Sequence, residues 1–191
     1  MILCPMVSRP EEKNQLSCTF QNLRYLEYCA IRKFEPTNPC ELETDEYDDS
    51  SLTYYVTIMG SKGMLGGCRL IDSQACVLPI EKNLVKKIET SSFEVSRYVL
   101  DTSLKFTKEE RDSIRNILDR TIIYLAILLK KERLYANMRK SLFWDINKRF
   151  KYKFTQIAQP HIHPSAGILI PAMHEIDFNE EINDINLKLV A

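Results

Sequence analysis

Glycine is scarce in this 191-residue chain, at five residues, and tryptophan occurs once. Phosphate-cradling loops are built from glycine, and neither Gly-x-x-x-x-Gly-Lys-Ser/Thr nor Gly-x-Gly-x-x-Gly is present, so nucleotide binding finds no support. A Gly-x-Ser-x-Gly nucleophile elbow is also missing, which argues against a serine hydrolase. The six cysteines (Cys4, Cys18, Cys29, Cys40, Cys68 and Cys76) form no Cys-x-x-Cys pair; reduced thiols in a cytoplasm are expected. His161 and His163 stand beside prolines without a neighbouring acid or cysteine, so no metal is assigned to them. No apolar run approaches membrane-span length, and the N-terminus lacks the charged lead and apolar stretch of a signal peptide. Formal net charge is zero, so no global field draws the molecule to nucleic acid.

What is present is ordinary in bulk and uneven in detail. Apolar residues make up 45% and charged residues 27%, the composition of a globular domain with a substantial core. Residues 35–49 hold seven acids (Glu35, Glu41, Glu43, Asp45, Glu46, Asp48 and Asp49). Residues 130–153 hold nine bases, opposed only by Glu132 and Asp145. Most such runs are solvated surface, but a basic patch on a neutral protein also suits an acidic partner.

With no repeat and no linker, a single domain over 1–191 is expected. Phe20, Leu23, Ile31 and Phe34 predict a helix over 16–34, with Arg24 and Tyr28 on one face. Alternation of Leu52, Tyr54, Val56 and Ile58 with Thr53, Tyr55 and Thr57 predicts a strand; Gly60–Gly63 turns it into a second arm over 64–71. A loop or short helix covers 73–91, and a strand follows at 93–100. Thr107 and Glu110 form a capping box for a long helix carried by Ile114, Ile117, Leu118, Ile122, Leu125 and Leu129. A strand at 134–138, a helix at 140–150 with Leu142, Phe143 and Ile146 inward, β structure within 154–176 and a short helix at 178–189 complete the order. This is an α/β or α+β sandwich with a mixed sheet, permitting a parallel pair between 93–100 and 134–138.

Three pieces carry candidate chemistry: the acidic segment 41–48, Gly66-Gly67-Cys68-Arg69-Leu70, and Phe93-Glu94-Val95-Ser96-Arg97. Glu94 is the candidate general base, able to deprotonate an amine. Arg24, Arg69 and Arg97 are candidates for a substrate carboxylate, which guanidinium binds in bidentate fashion. Asp45 and Asp48 would orient those arginines or bind an amine. An equally weighted alternative is a salt-bridge network that pins the acidic loop to the sheet. In a regular strand Glu94 and Arg97 face opposite sides, so a shared role requires an interruption between them. The Gly66-Gly67 pair within a strand signals a bulge or the close approach of a ligand.

Arg24, Tyr28, the Glu-x-Asp-x-Tyr-Asp segment 43–48, Gly-Gly-x-Arg-Leu 66–70 and Glu-x-Ser-Arg 94–97 resemble the autoinducer (acyl-homoserine-lactone) synthases. The match is close over residues 20–100 and by fold pattern beyond. The resemblance implies a GNAT-like acyltransferase fold with a splayed mixed sheet. It departs at Phe34, where the autoinducer family usually has tryptophan. Leu42-Glu43-Thr44-Asp45 and Leu78-Pro79-Ile80-Glu81 look more like the related N-acyl amino acid synthases. The expected activity on that branch is transfer of a long acyl chain from acyl carrier protein to the α-amine of an amino acid such as tyrosine. An autoinducer synthase using S-adenosylmethionine and a non-catalytic carrier-binding module are the alternatives. No permanently bound cofactor is expected; acyl-phosphopantetheine on the carrier is the donor. Glu94 would be the base. Arg24, Tyr28, Phe34, Asp45, Asp48, Arg69 and Arg97 would bind the acceptor, and Ile122, Tyr124, Leu125 and Leu128 would wall the acyl chain. Lys130, Lys131, Arg139, Lys140, Lys148 and Arg149 would dock the acidic carrier. Residues 101–110 contain no glycine, which favours a carrier-protein donor over coenzyme A. A bacterial, cytoplasmic protein is implied.

Overall fold

The computed structural model describes residues 2–84, 87–88, 91–149 and 153–179. The chain divides into two compact units: Met1–Ile71 with Arg97–Ile122, and Asp72–Ser96 with Ile123–Ala191. Within the described residues no helix is long and apolar enough to cross a membrane.

The first unit is built on an antiparallel ladder. β1 (Cys4–Ser8) pairs with β2 (Thr53–Gly60), which pairs with β3 (Gly63–Asp72). β1 was not expected from the sequence; its Cys-Pro-Met-Val-Ser lacks alternation and most of it is exposed. The hairpin is as predicted, apart from a register shift between Ile58 and Met59. Both faces of β2 are covered: Thr53, Tyr55 and Thr57 are all fully buried, as are Val56 and Ile58. Helix α1 (Gln15–Arg24) covers the Tyr55 side, and Phe20 meets Tyr55 edge-on at 4.8 Å between ring centroids. Phe20, Leu23, Tyr55, Met64 and Val99 make the core there.

The predicted helix over 16–34 changes character after Arg24. Residues Tyr25–Ile31 form a π-helix, widened by hydrogen bonds such as Arg32 N–H to Glu27 O at 3.1 Å. An extra residue per turn shifts every later side chain off the α-helical stripe. Ile31, assigned to the buried face, is therefore 55% exposed, while Cys29 and Glu27 are buried. Arg97 to Leu100, the end of β4 (Ser92–Leu100), and most of α2 (Lys108–Leu128) complete this unit. The Thr107–Glu110 capping box is present in both directions, at 2.9 and 3.1 Å.

In the second unit the start of β4 pairs in parallel with β5 (Arg133–Arg139) over only three residues, Ser92–Glu94 with Arg133–Tyr135. The predicted parallel pair is thus real but short. Helix α3 (Lys140–Arg149) follows. Then come β6 (Thr155–Gln156), β7 (His161–His163) and β8 (Gly167–Glu175); β8 pairs antiparallel with β5, β6 and β7. Phe143 and Ile146 of α3 pack on Ala136, Met138, Ile170 and Ala172, with Leu142 beside them, as the spacing predicted. The expected terminal helix at 178–189 lies, from residue 180 on, outside the described residues.

Gly66 and Gly67 are closely approached, but by the protein itself. A Cβ on Gly66 would sit 2.6 Å from the carbonyl oxygen of Val99; one on Gly67 would meet Val56 O at 2.7 Å and the Phe20 ring at 2.8 Å. The close-ligand reading of this pair is corrected accordingly. Because the obstructing atoms include backbone, Gly67→Ala is expected to lower stability by about 1–3 kcal/mol. Chemical denaturation with an unchanged m-value is the check.

Candidate active site

The first unit brings together most of the residues singled out from the sequence. Arg24, at the end of α1, is fully buried. It grips Asp48 in bidentate fashion, Nη1 to Oδ1 at 3.0 Å and Nη2 to Oδ2 at 2.9 Å. Its Nε donates to Glu43, and Nη1 also reaches the Tyr55 hydroxyl at 3.0 Å. Arg69 of β3, also buried, holds Asp45 through Nη1 at 2.5 Å and Nη2 at 2.9 Å, and Asp48 at 2.9 Å.

Asp48 is the hub. Its Oδ1 accepts from Arg24, from Arg69 and from the Tyr55 hydroxyl at 2.8 Å; its Oδ2 accepts from Arg24 and from the Asp45 N–H at 3.0 Å. That last bond, with Tyr47 N–H to Asp45 Oδ1, is the capping box of a short 3₁₀ turn over Glu46–Asp49. The acidic segment is therefore a turn whose carboxylates face inward. Burial would raise the Asp48 pKa, but the two guanidinium groups overcome it and hold the carboxyl far below the usual carboxylate range. Burial likewise pushes the Tyr55 hydroxyl well above its ordinary value, so it stays protonated and donates to Asp48.

Arg97 is the more open member, with its side chain 22% exposed. It binds Glu43 through Nε at 3.0 Å and Nη2 at 2.8 Å, and reaches Asp45 at 3.3 Å and Glu35 at 3.6 Å. Its guanidinium lies over the Tyr28 ring, 5.5 Å from the centroid, and Tyr28 meets Phe34 edge-on at 5.7 Å. Arg97 has φ 52, a left-handed conformation that breaks the strict alternation of β4.

Two expectations change here. Arg24 and Arg69 are not waiting for a substrate carboxylate, because the protein's own acids already hold them. Glu43, Tyr55 and Glu35 belong to the cluster although sequence reasoning did not select them. Glu43 opens the Glu-x-Asp-x-Tyr-Asp segment but was given no role of its own, and Tyr55 was visible only as part of a strand.

Glu94 lies in the second unit, on the paired part of β4, and is 2% exposed. The Ile80 N–H donates to its Oε2 at 2.7 Å. That donor is presented by the Leu78-Pro79-Ile80-Glu81 motif, which forms a 3₁₀ turn starting at Pro79, with Glu81 accepting from Leu78 N–H at 2.7 Å. The neighbouring Lys131 was a docking candidate. It is instead buried, 2.7 Å from Asp72, 3.2 Å from the Ser91 hydroxyl and above the Phe93 ring. A buried, paired ammonium cannot meet a partner, so Lys131 leaves the docking set. Lys130, Arg139, Lys140 and Lys148 are exposed, and Arg149 pairs with Asp145 at 3.0 Å.

Of the proposed acyl-chain walls, Ile122 and Leu125 face inward from α2, whereas Tyr124 and Leu128 are 53% and 61% exposed. Residues 124 and 128 are four apart and share the outer stripe of the helix, so these two do not belong to an interior wall. Among the described residues, no three His, Cys, Asp or Glu side chains cluster so as to hold a metal ion.

Asp48→Asn should cost about 3–5 kcal/mol, the scale for breaking a buried ion pair. Because the folded-state pKa of Asp48 is depressed, its contribution is complete above about pH 5 and falls away as the pH drops below the ordinary carboxylate value. Acid titrations followed by circular dichroism should show a shallower loss of stability in Asp48→Asn than in the parent.

No protein-family profile and no curated protein matches the chain. Solved structures do. The acyl-homoserine-lactone synthase LasI superposes with a TM-score of 0.72 at 16% identity, over 92% of this chain and 91% of its own. The coenzyme A-dependent acyl-homoserine lactone synthase BjaI, solved with SAM and isopentyl-CoA, gives 0.71 at 16% identity over 96% and 90%. An acyl-CoA N-acyltransferase from Pseudomonas aeruginosa gives 0.61 at 12% identity over 89% and 98%. The chain has the GNAT-like acyltransferase fold, in the form shared by the acyl-homoserine-lactone synthases.

Proposed function

We propose that this protein is an N-acyltransferase of the acyl-homoserine-lactone synthase type, acylating the amine of a cationic amino acid of the S-adenosylmethionine kind. The observation that carries this is the charge balance of the arginine cluster. Three guanidinium groups (Arg24, Arg69 and Arg97) face four carboxylates (Glu35, Glu43, Asp45 and Asp48). The two deepest arginines are fully occupied, and the surplus is negative at the partly exposed end, where Glu35, Asp45 and Arg97 lie. A neutral zwitterion such as tyrosine would bring a carboxylate to a site with no spare buried cation. A sulfonium amino acid brings the extra positive charge that the surplus acid matches. This moves the reading away from the tyrosine branch and toward the autoinducer alternative, in keeping with the solved structures the chain resembles.

The chemistry follows from the groups. The acceptor arrives as an ammonium and must lose a proton before attack. Glu94, oriented by the Ile80 N–H, takes it directly or through a water. The free amine attacks the thioester carbonyl of a phosphopantetheine donor; the C–N bond forms and the thiolate leaves. In a sulfonium acceptor, the carboxylate then displaces the thioether from its own γ-carbon, closing a lactone without an added reagent. The glycine-free stretch 101–110 is what favours a carrier-protein donor over coenzyme A.

Purified protein supplied with S-adenosylmethionine and an acyl thioester, on coenzyme A or on carrier protein, should release an acyl lactone detectable by mass spectrometry. An acyl-tyrosine formed in preference would overturn the assignment of the acceptor. Glu94→Gln should reduce turnover by about 10²–10⁴-fold, the range for a lost general base, with the fold retained by circular dichroism.

A further inference from the structure

The second unit carries an exposed apolar tip, and near it in the same unit stand Lys140 and Lys148, two of the basic residues expected to dock a carrier protein. β7 and β8 form a hairpin whose turn is capped by His163: its Nδ1 accepts from Ala166 N–H at 3.2 Å and from Ser165 N–H at 3.4 Å. Next to that turn, Ile162 and Ile168 are directly paired across the strands. They are 80% and 54% exposed. A cross-strand isoleucine pair at a hairpin tip is normally a core contact; here it points into solvent.

Direction follows from the strand period. Ile168 shares its face with Ile170, and Ile170 packs beneath Phe143 and Ile146 of α3. The isoleucine pair therefore extends, uncovered, the sheet face that α3 covers. On its outer side α3 displays Lys140, Trp144 and Lys148 at four-residue steps, with Trp144 61% exposed. From Arg139 to His174 the sequence holds six Lys or Arg residues and a single acid, Asp145, which Arg149 neutralises; Arg133 is paired with Glu175.

We propose that this face docks on an anionic lipid surface, with Ile162 and Ile168 entering the acyl boundary, Trp144 at headgroup level and Lys140 and Lys148 against the lipid phosphates. The shape favours lipid over protein. The apolar contact is a protruding two-residue tip, which a deformable bilayer accepts, whereas a protein partner would need a matching concavity. The charge is diffuse and of one sign, which suits a surface of many anionic headgroups. Trp144 has the amphipathic ring enriched at membrane interfaces.

Trp144 is the only tryptophan in the chain, so its fluorescence reports on this face alone. Vesicles of phosphatidylglycerol and phosphatidylcholine in equal parts should shift the emission to the blue and co-sediment the protein. Pure phosphatidylcholine vesicles should do neither, and raised salt should weaken binding. Ile162→Ser/Ile168→Ser, at two exposed positions and with the fold verified by circular dichroism, should reduce the bound fraction about tenfold or more, given the transfer free energy of two buried isoleucines. Absence of binding to the anionic vesicles, or equal binding by the double variant, overturns the proposal. So does a result in which the double variant loses affinity for an acidic acyl carrier protein while vesicle binding is unaffected.

Discussion

Five hydrogen bonds converge on the carboxylate of Asp48, and the first unit is organised around them. Two buried guanidinium groups from different elements, one on α1 and one on β3, would each be untenable in an apolar interior without an opposed charge. Asp48 opposes both at once, takes the Tyr55 hydroxyl from β2, and closes its own turn through the Asp45 N–H. One side chain thereby ties a helix, two strands and a loop. The other acids then take the remaining donors: Glu43 joins Arg24 to Arg97, and Asp45 joins Arg69 to Arg97. The network is graded, from a closed interior at Arg24 to a partly open end at Arg97 and Glu35. The closed end fixes geometry, and the open end is where the proposed acceptor would meet the cluster. Of the two readings weighed for this set, the salt-bridge scaffold describes the closed end.

The parts of the fold that were legible had strong local signals. The hairpin at 53–72 follows from alternation and a Gly60–Gly63 turn, the long helix from its capping box and apolar stripe, and the packing of α3 from Phe143 and Ile146. What escaped depended on long-range context. β1 carries no period of its own and exists because β2 offers an edge. The π-helix after Arg24 obeys tertiary demands that a 3.6-residue pattern cannot encode. The alternation at Thr53, Tyr55 and Thr57 marks a strand, but nothing in the strand itself records that α1 lies on that side and buries it.

The site was legible to a similar depth. Arg24, Asp45, Asp48, Arg69 and Arg97 do meet, across as many as seventy-three positions of sequence, from residue 24 to residue 97. That Asp45 and Asp48 would hold these arginines was readable; which acid takes which arginine was not, and it removes Arg24 and Arg69 from the candidates for a substrate carboxylate. Charge type can be seen in a sequence, but which partner satisfies which charge is decided by burial. Lys131 makes the same point: a cation in a basic run, it is buried against Asp72 and serves the interior.

The backbone at Arg97 carries a further meaning. A left-handed conformation at a non-glycine residue costs roughly 1–3 kcal/mol, and a glycine at that position would relieve it. The chain bears a standing local penalty at the one arginine of the cluster that solvent can reach. The same conformation interrupts the alternation of β4 and lets the guanidinium meet Glu43 and Asp45, so the local strain is offset by the ion pairs it permits.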